Sequence, residues 1–236
     1  MTFRTSRRIP RVLVAAVGAL LGIAVGTTAA AVPIRGSVQL PRDFAPPSEA
    51  RENGPAGFYW EEWNGVLDLR PPRLDVEREI AVVLTGEGDS PGSDFQLSGG
   101  ALRPSTMVAR SGDMLRIANT DPCAHELFAD GIEGLAVLQT APGNARTLAL
   151  TQVGHWLIQD RLYPHVKGYL HVIADLVARG TVQQDGRYAF SDVAPGGYTL
   201  KVFYRDRMVH SQRVEVEEGR ELTIEPVALD LTTPRQ

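Results

Sequence analysis

From residue 32 onward the apolar residues come in short runs bounded by Gly, Pro, Asp and Asn, and helical periodicity is hard to find. Runs of that kind predict strands. They fall at 34–40, 79–85, 106–109, 114–119, 125–128, 146–149, 154–158, 168–173, 187–190, 197–204, 210–216 and 221–229. Strands at this spacing predict an all-β chain built as sandwiches. Asp185-Gly186 marks a hairpin turn, because Gly tolerates positive φ, and Pro195-Gly196-Gly197 ends one strand and starts the next.

The first 31 residues are patterned differently. Arg4, Arg7, Arg8 and Arg11 precede an apolar run from Val12 to Val25, and Ala29-Ala30-Ala31 follow. That is the build of a signal peptide, with an uncleaved membrane anchor as the alternative, since the run to Val32 approaches the length of a membrane span. Either reading puts the folded part outside the cytoplasm, periplasmic or secreted. Between the first two strands Pro41, Pro46, Pro47, Pro55, Pro71 and Pro72 break regular structure. The same stretch carries Phe58-Tyr59-Trp60-Glu61-Glu62-Trp63. Those rings either pin a long loop onto a sheet face or offer a surface to a glycan or a partner protein.

Candidate chemistry sits in two stretches. Gly112-Asp113 opens a run that reaches Asn119-Thr120-Asp121-Pro122-Cys123-Ala124-His125, and the strand at 154–158 leads into Asp160-Arg161-Leu162-Tyr163-Pro164-His165-Val166-Lys167-Gly168. Together they resemble the cupredoxin-like, methylamine-utilisation-type proteins of bacterial envelopes. In that family one histidine arrives after an Asn-x-Asp turn, and a loop spaced Cys-x-x-His-x-x-Met supplies the other ligands of a blue-copper ion. The resemblance puts His125 at the upstream ligand position, Asp160 where cysteine belongs, Tyr163 where histidine belongs and Val166 where methionine belongs. Aspartate replaces a soft thiolate by a hard oxygen, and valine has no donor atom. The resemblance therefore implies a degenerate domain with no cofactor. The alternative is a periplasmic copper or zinc protein whose non-blue site is assembled from His125, Asp160, Tyr163 and His165, because imidazole and carboxylate suit those ions. His155, His171 and His210 read as strand residues.

A second resemblance covers the C-terminal part. Thr181, Asp185-Gly186, Tyr188, Phe190, Asp192-Val193, Pro195-Gly196, Tyr198 and Leu200 follow the pattern of carboxypeptidase-regulatory-like, transthyretin-like sandwiches. Such a sandwich opens with a Gly-x-Val strand and a Val-x-Leu strand before it reaches the Asp-Gly turn. Gly36-Ser37-Val38 and Val82-Val83-Leu84 supply those two, yet the turn comes only after residues 94–174. The resemblance thus implies a signal peptide over 1–31, first regulatory-like strands and a Pro-rich loop over 32–93, a cupredoxin-like Greek-key domain over 94–174, and the rest of the regulatory-like sandwich over 175–232. Two domains in series are the alternative arrangement. The carbohydrate-binding-like label given to such folds describes architecture and is not evidence of sugar recognition.

Composition narrows the function classes. The chain has 236 residues, with 24 basic and 28 acidic side chains. Removal of the N-terminal segment takes away four unopposed arginines and leaves 20 basic against 28 acidic residues, a net of −8. An acidic chain of this kind is a poor nucleic-acid binder. Cys123 is the only cysteine, which rules out an internal disulfide. It precedes His125 by two residues, so an extended strand shows both on one face, where they would suit a soft ion such as Cu(I); burial as a small hydrophobe is the competing expectation. No Gly-x-Ser-x-Gly elbow, phosphate loop or His-Glu-x-x-His helix occurs. The sequence reads as an exported, non-enzymatic binding or assembly protein. Its partner is an unknown envelope protein or glycan, and it meets a membrane only if the N-terminal segment is uncleaved. A carbohydrate- or cell-surface-binding accessory factor is a further alternative.

Overall fold

The computed structural model describes residues 31–41, 44, 74–132 and 134–231. The N-terminal segment expected to direct export and the aromatic cluster at 58–63 lie outside them. The described chain is nearly all β. In order it forms β1 (Val32–Gln39), α1 (Val76–Glu79), β2 (Ile80–Thr85), β3 (Asp94–Leu97), β4 (Leu102–Arg103), β5 (Thr106–Arg110), β6 (Met114–Asn119), β7 (Leu127–Phe128), β8 (Ala145–Ala149) and β9 (Gly154–Asp160). There follow β10 (Lys167–Ile173), β11 (Leu176–Arg179), β12 (Thr181–Val182), β13 (Arg187–Val193), β14 (Gly196–Tyr204), β15 (Arg207–Val216), β16 (Leu222–Thr223) and β17 (Val227–Ala228). Among the described residues no helix is long and apolar enough to cross a membrane.

Four sheets build two cores. One pair of sheets has the orders β12-β13-β1-β16, with β17 also on β1, and β11-β2-β14-β15. Between them lies an apolar core that includes Ile34, Val82, Leu84, Phe190, Leu200 and Val202. The second pair has the orders β4-β3-β6-β8 and β5-β10-β9-β7, enclosing Leu97, Leu115, Ile117, Ile158, Leu170 and Val172. The alternation in the sequence is what fills these cores. Tyr198, Leu200, Val202 and Tyr204 of β14 are all buried, while Thr199 and Lys201 between them are only half-buried. We call the first pair the outer sandwich and the second the inner one, since the chain leaves the outer pair after β2 and rejoins it at β11.

Two glycines show how closely the outer sheets are built. A side chain at Gly36 on β1 would meet the Tyr188 hydroxyl at 2.3 Å, so the tyrosine ring crosses the strand there. Gly186 has φ of 83° in the turn between β12 and β13, and its amide closes on the Gln183 carbonyl at 2.8 Å. A Cβ at Gly186 would lie 2.4 Å from the Val38 carbonyl oxygen. Asp-Gly therefore serves both the turn and the close approach of β1.

The sandwiches meet along a seam that is part apolar and part charged. Val83, Val108, Leu176 and Phe203 form a small buried cluster of their own. Beside it Arg205 Nε donates to Glu79 Oε2 at 2.6 Å, with 18% and 7% of the two side chains exposed. Glu79 ends α1, whose start is capped by the Asp75 carboxylate on the Arg78 amide at 3.3 Å. The Thr106 hydroxyl of β5 donates to the Glu79 carbonyl at 2.6 Å and accepts from the Arg205 amide at 3.0 Å. From β11, Arg179 Nε donates to the Val108 carbonyl at 2.6 Å, and its Nη2 bonds the Gly92 carbonyl. Its guanidinium also sits over the Phe95 ring at 5.1 Å. His171 of β10 donates through Nε2 to the Arg205 carbonyl at 2.7 Å, which fixes the tautomer, since a carbonyl only accepts.

Two outcomes follow from the seam. Glu79→Ala leaves the Arg205 guanidinium largely enclosed without its carboxylate, and should lower stability by about 3 kcal/mol in urea unfolding at 25 °C. An unchanged midpoint would show that the pair contributes nothing to stability. Burial holds the His171 imidazole below its ordinary value, partly opposed by its bond to the Arg205 carbonyl. The unfolded chain therefore takes up that proton first as pH falls through about 6.5, and stability drops from there toward the lower native value. Urea midpoints measured between about pH 7 and pH 5 should fall less steeply for His171→Gln than for the wild type.

Candidate functional site

The end of β6 and the start of β7 bring together the residues that the sequence singled out. Asn119, the last residue of β6, is buried and donates through Nδ2 to the carbonyls of Cys123 and Thr140, both at 2.9 Å. Its Oδ1 accepts from the Asp121 amide at 3.0 Å, closing an Asx turn. That turn aims Asp121 inward, where its carboxylate accepts from the Gly99 amide and, at 2.9 Å, from the Gly100 amide. The chain then reaches His125, which is 1% exposed and bridges Thr140 in an isolated antiparallel pair.

Across the sheet, β9 ends at Asp160, which is 2% exposed. Its Oδ1 accepts three backbone amides, Glu126 at 3.2 Å, Leu162 at 2.8 Å and Tyr163 at 3.3 Å. Its Oδ2 lies 2.5 Å from His125 Nδ1. The other ring nitrogen, Nε2, faces the Cys123 sulfur at 3.4 Å and Asp121 Oδ2 at 3.2 Å. His125 is therefore held at both nitrogens, by Asp160 on one side and by Asp121 with Cys123 on the other. The donors around the Asp160 carboxylate stand where water would otherwise solvate it.

Tyr163 joins the group from the loop after β9. Its ring centroid is 5.0 Å from that of His125, tilted by 53°. The hydrogen bond that the hydroxyl shares with Cys123 pushes the phenol above its ordinary value. His165 is exposed and stands edge-on to Tyr163 with centroids 6.1 Å apart, one ring farther out from His125. Val166 is fully buried in the inner core. The structure thus brings His125, Asp160 and Tyr163 together and leaves His165 at the rim. Among the described residues no group of three or more His, Cys, Asp or Glu is arranged to hold a metal ion.

Cys123 is half-buried, not enclosed as a small hydrophobe. It lies in a loop outside the named strands, yet its sulfur still reaches the ring of His125. Sequence reasoning missed Asp121 as a second carboxylate on His125. Its signal was the spacing itself, an Asn-x-Asp turn four residues ahead of the histidine. Elsewhere His155 and His171 face each other across β9 and β10 with rings 6.2 Å apart, and His210 on β15 lies 3.1 Å from the Gln212 amide oxygen.

No family model matches the chain, and no curated protein matches it. Among solved structures it is similar to a copper-containing nitrite reductase from Thermus scotoductus SA-01, with 17% identity and a TM-score of 0.30, over 35% of this chain and 22% of that one. The chain thus spans less than a quarter of that enzyme's length. A reduced amicyanin variant is 14% identical with a TM-score of 0.32, over 39% of this chain and 99% of its own. A purple cupredoxin from Nitrosopumilus maritimus is 14% identical with a TM-score of 0.29, over 34% and 99%. These neighbours are cupredoxins at low identity and partial coverage.

The bonding around Asp160 sets a measurable cost. Asp160→Ala strands three amides and one side of the His125 ring, and should cost about 3 to 5 kcal/mol by urea unfolding. Asp160→Asn keeps one acceptor oxygen and should cost roughly half of that. A loss below about 1 kcal/mol for the alanine variant would mean that water replaces the carboxylate there.

Proposed function

We propose that this chain is an exported, non-catalytic binding or assembly protein, in which a cupredoxin-like sandwich without copper is set into a carboxypeptidase-regulatory-like sandwich. The observation that carries the reading is the mutual saturation of His125 and Asp160. The imidazole has a carboxylate at each nitrogen, and the Asp160 carboxylate has four donors around its two oxygens. A metal ion would have to displace these bonds from buried groups.

The donor set does not suit a blue-copper ion. That ion takes two imidazoles, a thiolate and a weak axial thioether. The matched positions offer one imidazole, a carboxylate, a phenol and the hydrocarbon of Val166. A role in recognition is what remains for a domain built this way, and the rim around the loop after β9 has the exposed side chains Leu162, Pro164 and His165. The outer sandwich fits the regulatory-like pattern through its Gly36, Asp185-Gly186 and Pro195-Gly196 positions. The net charge of −8 without the N-terminal segment speaks against nucleic acid as the ligand.

Elemental analysis of the purified chain, before and after equilibration with Cu(II) and Zn(II), tests the reading. We expect no stoichiometric metal in the wild type. One equivalent of metal that disappears in His125→Ala would instead establish a non-blue metal site at His125 and Asp160.

A further inference from the structure

A cavity of about 400 Å³ opens along the seam, between α1 and β2 of the outer sandwich, the turn from β4 to β5 of the inner one, and the stretch from β11 into β12. That volume falls in the range of about 300 to 1,000 Å³ that small organic ligands occupy. Three guanidinium groups, those of Arg78, Arg103 and Arg179, line it together with the carboxylates of Asp75 and Glu77. The carboxylates are half used by the chain. Asp75 Oδ1 accepts from the Arg78 amide at 3.3 Å, and Glu77 Oε1 accepts from the Gln184 amide at 3.1 Å. The guanidinium groups are not balanced in return. Arg179 donates to the Val108 and Gly92 carbonyls and to the Ser93 hydroxyl, and Arg103 Nε donates to the Ser98 carbonyl at 3.2 Å, all of them neutral oxygens. Among the described residues neither arginine forms an ion pair. Arg78 Nε is enclosed without an acceptor, and the nearest carboxylate oxygen, Asp75 Oδ2, is 3.9 Å away. Burial pulls the Arg179 guanidinium below its ordinary value, opposed by Asp113 and Asp94 from a distance. A largely enclosed cation with only neutral contacts leaves room for an anion beside it.

We propose that this cavity binds a small polyhydroxylated carboxylate of the sugar-acid class, with its carboxylate on Arg179 and Arg103. A planar guanidinium matches a carboxylate through parallel N–H bonds, so the ligand supplies the countercharge that the chain does not. Asp75 and Glu77 on the same wall repel a multiply charged anion such as phosphate, which favours a single negative charge. They also favour hydroxyl groups on the ligand. Asp75 Oδ2 and Glu77 Oε2 accept no hydrogen bond among the described residues, and an ionised carboxylate can only accept. The ligand would touch both sandwiches, because Arg179 stands on β11 of the outer one and Arg103 ends β4 of the inner one. The cavity shares no residue with the group at His125. Failure of this inference therefore leaves the copper-free reading intact, and the reverse also holds.

The test is isothermal titration calorimetry of the purified chain with D-glucuronate, with D-glucose as the matching ring that lacks the charge, and with inorganic phosphate, all at one ionic strength. We expect saturable one-to-one binding of glucuronate, and binding of glucose and of phosphate weaker by about tenfold or more. Arg103→Ala and Arg179→Gln should each weaken glucuronate binding by about tenfold, with circular dichroism unchanged. The absence of saturable heat from glucuronate overturns the proposal. Glucose bound as tightly as glucuronate overturns it too, since the guanidinium groups would then play no part, and phosphate bound as tightly overturns the choice of a carboxylate. So does wild-type affinity in the folded variants. Should Arg179→Gln fail to fold, Arg103→Ala decides alone, because Arg103 is exposed and its loss leaves the core intact.

Discussion

The rung that joins Thr85 to Leu176 is the constraint on which the arrangement of this chain depends. At the end of β2 the backbone turns away into the inner sandwich, and at the start of β11 it returns to pair with the residue it left. The Gly86 amide donates to the Asp175 carbonyl at 2.8 Å just beyond that rung. A whole sandwich is thus suspended from two neighbouring strands of another, and chain ends held this close let a domain fold within a loop at little entropic cost. Two pinned ends alone would leave a swivel. The buried cluster of Val83, Val108, Leu176 and Phe203, with the Thr106 hydroxyl bonded to the Glu79 and Arg205 backbone and Arg179 on the β5 backbone, removes it.

Much of the fold was legible in the sequence because most strands carry their own signal. The long strands β6, β9, β10, β14 and β15 contain the alternating or continuous apolar runs that mark them, and their expected ends fall within a few residues of the observed ones. What escaped was short or polar. β3 and β4 flank a Ser-Gly-Gly turn and have too few residues to show a period, and they pair because β6 supplies a template. β11 and β12, only four and two residues long, fall between the expected strands at 168–173 and 187–190. The run at 221–229 was read as one strand, whereas it forms β16 and β17 with Pro226 between them, a residue that cannot donate to a ladder.

The site was legible in a similar proportion. The motif spacing pointed to His125, Asp160 and Tyr163, and they do meet. It set Cys123 beside His125 but did not show Asp121 at the second nitrogen, because that contact depends on how the Asx turn at Asn119 folds the chain back, which is a three-dimensional fact and not a period. Nor did it show that His165 stands outside. Two residues along a loop is a small step in sequence and a full ring width in space. The site is held by amides and carboxyl groups, so the order of the loop comes from hydrogen bonds, where another chain could take it from a coordinated ion.

The first strand of the outer sandwich has a property with a mechanical meaning. β1 runs parallel to both β16 and β17, with Ile34 beside Leu222 and Val38 beside Val227, and the Leu229 amide closes on the Gln39 carbonyl at 3.0 Å. Tension applied at Val32 and Leu231 would drag these strands past each other lengthwise, so that the bonds share the load and must rupture together. The inner sandwich, entered after β2 and left before β11, lies off the line between those two points. Whatever docks on the loop around His125 would keep its shape while the outer sandwich bears the strain.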